Sequence, residues 1–331
     1  MNTHKMKDED KLIAKYFEQT KEYVQLYGEQ TIVLIQVGQF YECYGIESED
    51  GIITGSKLQE FSDMFELKIG KATTKLFNNK AKMTGFNVVT LDKYVYKLQN
   101  HGFTVVVIEQ TKIAPRVFVR DKVNIFSPGT YFSDKPTSTS TSSSLTNNTC
   151  CFWIELSTNK ESLYVGMSQI DIITGKTSLS QYDILYMNNP STYDELECFV
   201  SIYKPSECII ITNLSKDIIN NVVSFINLDE CCKLIHTVFL FDGSKEVVAT
   251  GSNKERALNC EKQKYQFNIL QKIYNIDDEY FMTFYMDHWI ATQSFCYLLD
   301  FVYQHNPGLL TNISDPIFEY NENKLILANH S

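Results

Sequence analysis

No run of about 18 apolar residues occurs, although 44% of the 331 residues are hydrophobic, so a membrane span is not expected. The start, Met1-Asn2-Thr3-His4-Lys5-Met6-Lys7-Asp8-Glu9-Asp10, is charged and has no apolar signal core, which argues against secretion. An intracellular location is expected, with cytoplasm, nucleus and organelle left open. The nine cysteines, Cys43, Cys150, Cys151, Cys198, Cys208, Cys231, Cys232, Cys260 and Cys296, contain no Cys-x-x-Cys. An odd number with two adjacent pairs fits reduced, mostly buried thiols better than a disulfide framework. The histidines His4, His101, His236, His288, His305 and His330 show no metal-ligand spacing, so neither a metal nor another cofactor is expected within these residues.

A basic excess is missing too: the net charge is −10. It is unevenly spread, with 18 Lys/Arg against 17 Asp/Glu in residues 1–135 and 12 against 23 in the remainder. Residues 67–91 have no acid and carry Lys68, Lys71, Lys75, Lys80 and Lys82. Such a cluster can meet phosphates, each contact releasing condensed counterions. Its plainer reading is a solvated lysine-rich hairpin. Gly175-Lys176-Thr177 mimics the end of a phosphate-binding loop, but the loop's first glycine would fall at Ile170 and the triplet sits between two expected strands. A true phosphate loop joins a strand to a helix whose N-terminus meets the phosphates. No ATP site, and no catalytic residue, is expected in this chain.

Residues 10–28 read as an amphipathic helix with Leu12, Ile13, Tyr16, Phe17, Tyr23, Val24 and Tyr27 as its apolar positions. Thr31 to Val37 then has the length and β-branched content of a buried strand. It leads into Gly38-Gln39-Phe40-Tyr41-Glu42. If the extended phase continues, Val33, Ile35, Val37 and Tyr41 share one face, and Phe40 and Glu42 the other, with Gln36 and Gly38. A large ring beside an acceptor-only carboxylate suits the prising open of a weak base step in DNA. The bland alternatives are a core Phe on a strand buried on both faces and a surface Glu. Further helices are expected at 56–65 and 91–100, the latter stopping at His101-Gly102, and a strand at 103–108.

The tract Thr137-Ser138-Thr139-Ser140-Thr141-Ser142-Ser143-Ser144-Leu145-Thr146-Asn147-Asn148-Thr149 has too little apolar area to offset its ordering and reads as a flexible linker. Beyond it, 152–156, 163–167, 169–173 and 177–179 read as successive strands, 193–203 as a helix and 207–212 as a buried strand; after about residue 255, helices are expected at 258–274 and 287–305.

Gly-x-Phe-Tyr-Glu after an apolar strand resembles the mismatch-reading motif of the MutS family of DNA mismatch repair proteins. The likeness continues in Lys82-Met83-Thr84-Gly85-Phe86, Glu109-Gln110, Ser127-Pro128-Gly129-Thr130, Gln169 to Gly175, Glu195-Leu196 and Pro205-Ser206-Glu207. It implies a multidomain α/β chain: a mixed α/β mismatch-recognition domain at 1–132, a Ser/Thr-rich linker at 133–150, an RNase H-like α/β connector at 151–255 and the start of an all-α lever domain at 256–331. It also implies that Phe40, Glu42 and Gly38 form the mismatch site. Phe40 would insert from the minor groove and stack on a mispaired base. Glu42 would hydrogen-bond the displaced base, a raised pKa allowing a protonated form to donate. The implied partners are mismatched double-stranded DNA and a MutL-type protein docked on the connector. The implied parent is a dimer whose ATPase, with ATP and Mg, lies beyond Ser331; the fragment alone is expected to be a monomer. Phe86-Asn87-Val88-Val89-Thr90 departs from the family's usual Ile-Pro-x-His-Ala, which points to a viral or organellar branch. Two rivals remain: a protein-docking scaffold over 150–255, and a metal-dependent nuclease using Glu155, Asp171 and Asp183.

Overall fold

The structure, a computed structural model, describes residues 8–72, 74, 80–114, 117–130, 146–241 and 251–319. The chain divides into two compact units, Met1–Ser127 and Pro128–Ser331.

The first unit opens with helix α1 (Asp8–Tyr27), which buries Ile13, Tyr16, Thr20 and Tyr27. The Tyr16 hydroxyl donates to the Val33 carbonyl at 3.0 Å, fixing the helix to the sheet beneath. Strand β1 (Thr31–Val37) does not run on past Gly38. It reverses through Gly38 and Gln39 into β2 (Phe40–Glu47), with Val37 opposite Phe40, Gln36 opposite Tyr41 and Ile35 opposite Glu42. Gly38 has φ +62° while Gln39 does not have positive φ, the signature of a two-residue type II′ hairpin turn, which needs glycine first. The expected grouping of faces changes accordingly. Directly opposed residues share a face, so Phe40 and Glu42 lie with Val37 and Ile35, and Tyr41 lies with Gln36.

Strand β3 (Ile53–Thr54), helix α2 (Leu58–Phe65), strands β4 (Gly70–Lys71) and β5 (Ala81–Asn87), helix α3 (Leu91–Asn100) and strands β6 (Thr104–Ala114) and β7 (Val117–Phe126) complete the unit. The sheet order is β4-β5-β2-β1-β6-β7, with β3 on β2. Its central pair, β1 and β6, is parallel and the remaining pairs are antiparallel. Ile32 to Ile35 of β1 and Val105 to Ile108 of β6 are buried, as central strands covered on both faces require, whereas the far end of β6 is exposed.

The second unit is built on strands β8 (Asn148–Leu156), β9 (Ser162–Asp171) and β10 (Thr177–Leu185), an antiparallel meander. Residues 163–167 and 169–173, expected as two strands, are mostly one. Helix α4 (Asp194–Tyr203), strand β11 (Glu207–Thr212), helices α5 (Lys216–Phe225) and α6 (Leu228–Cys231) and strand β12 (Leu234–Phe239) follow. Strand β11 lies parallel to β8 on one side and β12 on the other. Side chains alternate along β8: Cys150, Phe152 and Ile154 join a core with α4 and α5, whereas Cys151 and Trp153 join the core on the opposite face.

That opposite core takes in the helices that follow residue 252. Helices α7 (Asn253–Cys260), α8 (Gln263–Tyr274), α9 (Asp278–Tyr280) and α10 (Trp289–His305) belong to the same compact unit as the sheet. Helix α10 is apolar nearly all round because it lies between the sheet and the other helices. A short strand β13 (Ile317–Phe318) adds to β10. The expected linker is also shorter than drawn: residues 148–150 are already strand, while 131–145 lie outside the described residues. Two distant sequence motifs meet here. The Gly129 N–H donates to the buried Glu207 carboxylate at 2.8 Å, and the Thr149 hydroxyl donates to the Gly129 carbonyl at 2.6 Å. All nine cysteines carry free thiols, six of them buried. Among the described residues no helix is long and apolar enough to cross a membrane.

Candidate nucleic-acid interface

Phe40 is the first residue of β2 and sits at the hairpin tip with 50% of its surface exposed. A phenyl ring left this open forfeits about half of the roughly 1.5–3 kcal/mol that full burial would supply. The core reading of Phe40 therefore fails. Tyr41 points into the sheet's other face, 5% exposed and packed on Phe86. The divergent segment 86–90 supports the tip from β5. Phe86 stacks on Tyr94 at 3.8 Å, the Asn87 side chain accepts from the Val89 N–H, and the Val88 N–H donates to the Gln39 carbonyl at 3.0 Å. Val89 is consequently displayed with 84% of its surface exposed.

Glu42 is half-buried two residues along, between Ile35 on β1 and Gly85 on β5. Glycine is required at 85, since a Cβ there would come within 2.6 Å of the Tyr41 carbonyl and 3.3 Å of Glu42 Cγ. The Tyr44 hydroxyl donates to the Glu42 carboxylate. Burial pushes the Glu42 carboxyl above the usual carboxylate range, while the Tyr44 hydrogen bond and the Arg120 charge pull it partly back. Ionised, the Glu42 carboxylate can only accept; a proton would add a donor.

The turn itself is held from β6 and β7. The Gly38 N–H donates to Gln110 Oε1 at 3.0 Å, and the Gln110 N–H donates to Gln36 Oε1 at 2.9 Å. Arg120 donates through Nε to the Gln36 carbonyl at 2.8 Å and through Nη2 to Gln110 Oε1 at 3.2 Å. Gly38 is therefore the pivot of the turn, held through its backbone. Sequence reasoning missed Arg120 and Tyr44; the Glu109-Gln110 pair was the one available signal.

The lysines divide. Lys82 pairs with Glu47 at 2.9 Å and Lys80 with Glu49 at 3.3 Å, so acids from outside 67–91 already meet these two. Lys68 and Lys71 are exposed and form no ion pair among the described residues, and Lys75 lies outside them. Replacing Lys68 and Lys71 by Ala should lower the slope of log affinity for duplex DNA against log salt by about 1 per lysine. Lys80→Ala and Lys82→Ala should change it less, because a carboxylate competes for each. A salt titration of binding decides this, and an unchanged slope in the Lys68/Lys71 double variant would remove both from the interface.

Residues 14–135, which include the hairpin, β5 and the Gln–Arg network, match the family model of MutS domain I. The chain carries a MutS domain I. Likeness to MutS-family sequences continues well past it. A mutS homolog of Acanthamoeba polyphaga mimivirus, named as a DNA mismatch repair protein, is 27% identical over 96% of this chain and 28% of its own length. The DNA mismatch repair protein MutS of Caldicellulosiruptor saccharolyticus is 26% identical over 73% of the chain and 26% of its own length. That of Thermodesulfovibrio yellowstonii is 26% identical over 60% of the chain and 19% of its own length. The chain thus spans less than a third of each of these relatives.

Outside the MutS domain I, the three carboxylates of the nuclease alternative do not converge. Glu155 and Asp183 both stand opposite Tyr164, whereas Asp171 is seven residues further along β9, roughly 23 Å away at the usual strand rise. Asp171 is engaged in the turn it begins, accepting from the Asn147 N–H at 3.0 Å, the Ile173 N–H at 3.1 Å and the Thr174 hydroxyl at 2.6 Å. No group of three His, Cys, Asp or Glu among the described residues could hold a metal ion. Gly175-Lys176-Thr177 forms the β9–β10 turn and enters β10, with Gly175 at φ +74°. The Gly175 carbonyl accepts from the Ser314 N–H at 2.8 Å.

Proposed function

We propose that this chain reads mispaired bases in duplex DNA as the recognition portion of a MutS-type repair protein. Phe40 acts as the intercalating wedge and Glu42 as the group that hydrogen-bonds the displaced base. The observation that carries this reading is an aromatic ring half-exposed at a hairpin tip that is braced from both sides, with a half-buried carboxylate two residues away on the same face. Stacking on a base is worth about 1–3 kcal/mol, and unstacking a step costs a few kcal/mol. The two nearly cancel, so a matched step resists and a step already weakened by a mispair yields.

In the second unit, three antiparallel strands are followed by two strands parallel to the first, with helices on both faces. This order supports its reading as an RNase H-like connector, with α7, α8 and α10 as part of that unit. We assign it docking of a MutL-type protein, in keeping with its acidic balance. Dimerisation and ATP hydrolysis, which the resemblance implies for a longer parent, are assigned to regions these residues do not span.

The direct test is equilibrium binding, at low salt, to a duplex with one mismatch and to its matched twin. Tighter binding to the mismatched duplex is the expected result. Equal affinity for both would remove mismatch reading from this chain, and no binding to either would favour the docking-scaffold alternative.

A further inference from the structure

Gln36, Gln110 and Arg120 come from three strands and converge under one turn, at a place where the β6–β7 ladder opposes two residues to one. Between the pairs Glu109–Lys122 and Thr111–Val119 stand Gln110 on β6 and both Arg120 and Asp121 on β7. A bulge of this kind re-aims a side chain, and here it sends the Arg120 guanidinium across β6 to the end of β1. Two functions fall to one side chain. Its donors hold the Gln36 carbonyl and the Gln110 carboxamide that in turn accepts from Gly38, so it fixes the conformation of the turn. Its permanent charge acts on Glu42 and Tyr44.

We propose that Arg120 is a positioning residue that sets the selectivity of the Phe40–Glu42 probe by holding the 37–40 turn in one shape. This rests on the mismatch-reading function proposed above. The charged and titratable neighbours are few. Tyr44 on β2 donates to Glu42, Arg120 approaches from β7, and Glu9 of α1 acts on Tyr44. The residues opposite Glu42 on β1 and β5, Ile35 and Gly85, do not titrate. With Arg120 in place, Glu42 selects a base edge that offers a donor. Without it, a protonated Glu42 persists to higher pH and selects an acceptor.

The experiment uses the full chain and two readouts. In the DNA-free protein, the Glu42 carboxyl is titrated by carbon-13 NMR in the native chain, Arg120→Met and Arg120→Lys. Arg120→Met should move the midpoint to higher pH. Arg120→Lys, which keeps the charge and loses the fork, should leave it near the native value. The mismatched-to-matched affinity ratio is then followed against pH. Arg120→Met should shift that profile in the same direction as the NMR midpoint. Arg120→Lys should lower the ratio without moving the profile. An affinity ratio that Phe40→Ala lowers but Arg120→Met and Arg120→Lys leave unchanged, with backbone amide spectra showing a native fold, would overturn the proposal. If the NMR midpoint moves but Phe40→Ala and Glu42→Gln leave the affinity ratio unchanged, the mismatch-reading function fails instead and Arg120's role in selectivity falls with it.

Discussion

Phe40→Ala is expected to abolish most of the preference for a mismatched over a matched duplex while leaving the fold intact. The ring lies half outside the protein, so its removal opens no core cavity. The turn that carries it is held by backbone and carboxamide hydrogen bonds that do not involve the phenyl group. What is lost is stacking on the base, about 1–3 kcal/mol, or roughly 5- to 150-fold in affinity for the mismatched duplex. Affinity for the matched duplex, which rests on phosphate contacts, should change little. Paired titrations of both duplexes, with circular dichroism to verify the fold, measure the effect. An unchanged ratio would show that the wedge is not Phe40.

Gly166→Ala should strongly destabilise the second unit. Strand β9 presents Gly166, Ser168 and Ile170 in alternation. The first two are small enough for α10 to lie almost on the backbone of the strand. A Cβ at 166 would run into the carbonyl of Ile290 and come within 2.7 Å of the Ala291 nitrogen. These are backbone atoms at the start of a helix and cannot rotate away. Ser168 and Ser294 also share a hydrogen bond at 2.8 Å, and Ser294 donates to the Cys151 carbonyl at 2.6 Å, so a displaced helix would leave buried polar groups unmet. Overpacking costs about 1–3 kcal/mol and more where the backbone must move. At the upper end, a unit of this size should lose roughly 6–12 °C in Tm. Ser294→Ala, which loses hydrogen bonds without adding bulk, should cost about 1 kcal/mol. Thermal unfolding of the two variants tests this, and a Gly166→Ala Tm equal to the native value would mean that α10 does not seat so closely.

Much of the architecture was legible because periodicity reports burial directly. Helices α1, α3, α4 and α10 and strands β1, β8 and β11 stand close to where their apolar spacing placed them. Strands β5 and β7 were missed, as β5 reads Ala-Lys-Met-Thr-Gly-Phe-Asn and β7 carries Arg-Asp-Lys at its centre. Each is a strand because a neighbour's edge is there to pair with, not because its own residues demand it. What covers the helices after 255 was hidden for a related reason. An apolar helix announces that it will be covered, without saying by what.

At the candidate site the same division holds. The residues Phe40 and Glu42, their spacing of two and their shared face followed from local sequence, since alternation is a property of any extended chain. The reversal at Gly38 was hidden, because Gly-Gln is a weaker hairpin signal than Asn-Gly and the strand before it could have continued. The bracing of that turn by Gln110 and Arg120, residues 72 and 84 positions beyond their partners, was decided by sheet order alone. The proton balance of Glu42 was decided with it, because burial and a charge from another strand exist only once the strands are assembled. The chain's local chemistry thus names the proposed probe. How stiffly it is held, and in which ionic state it meets a base, is a property of the folded sheet.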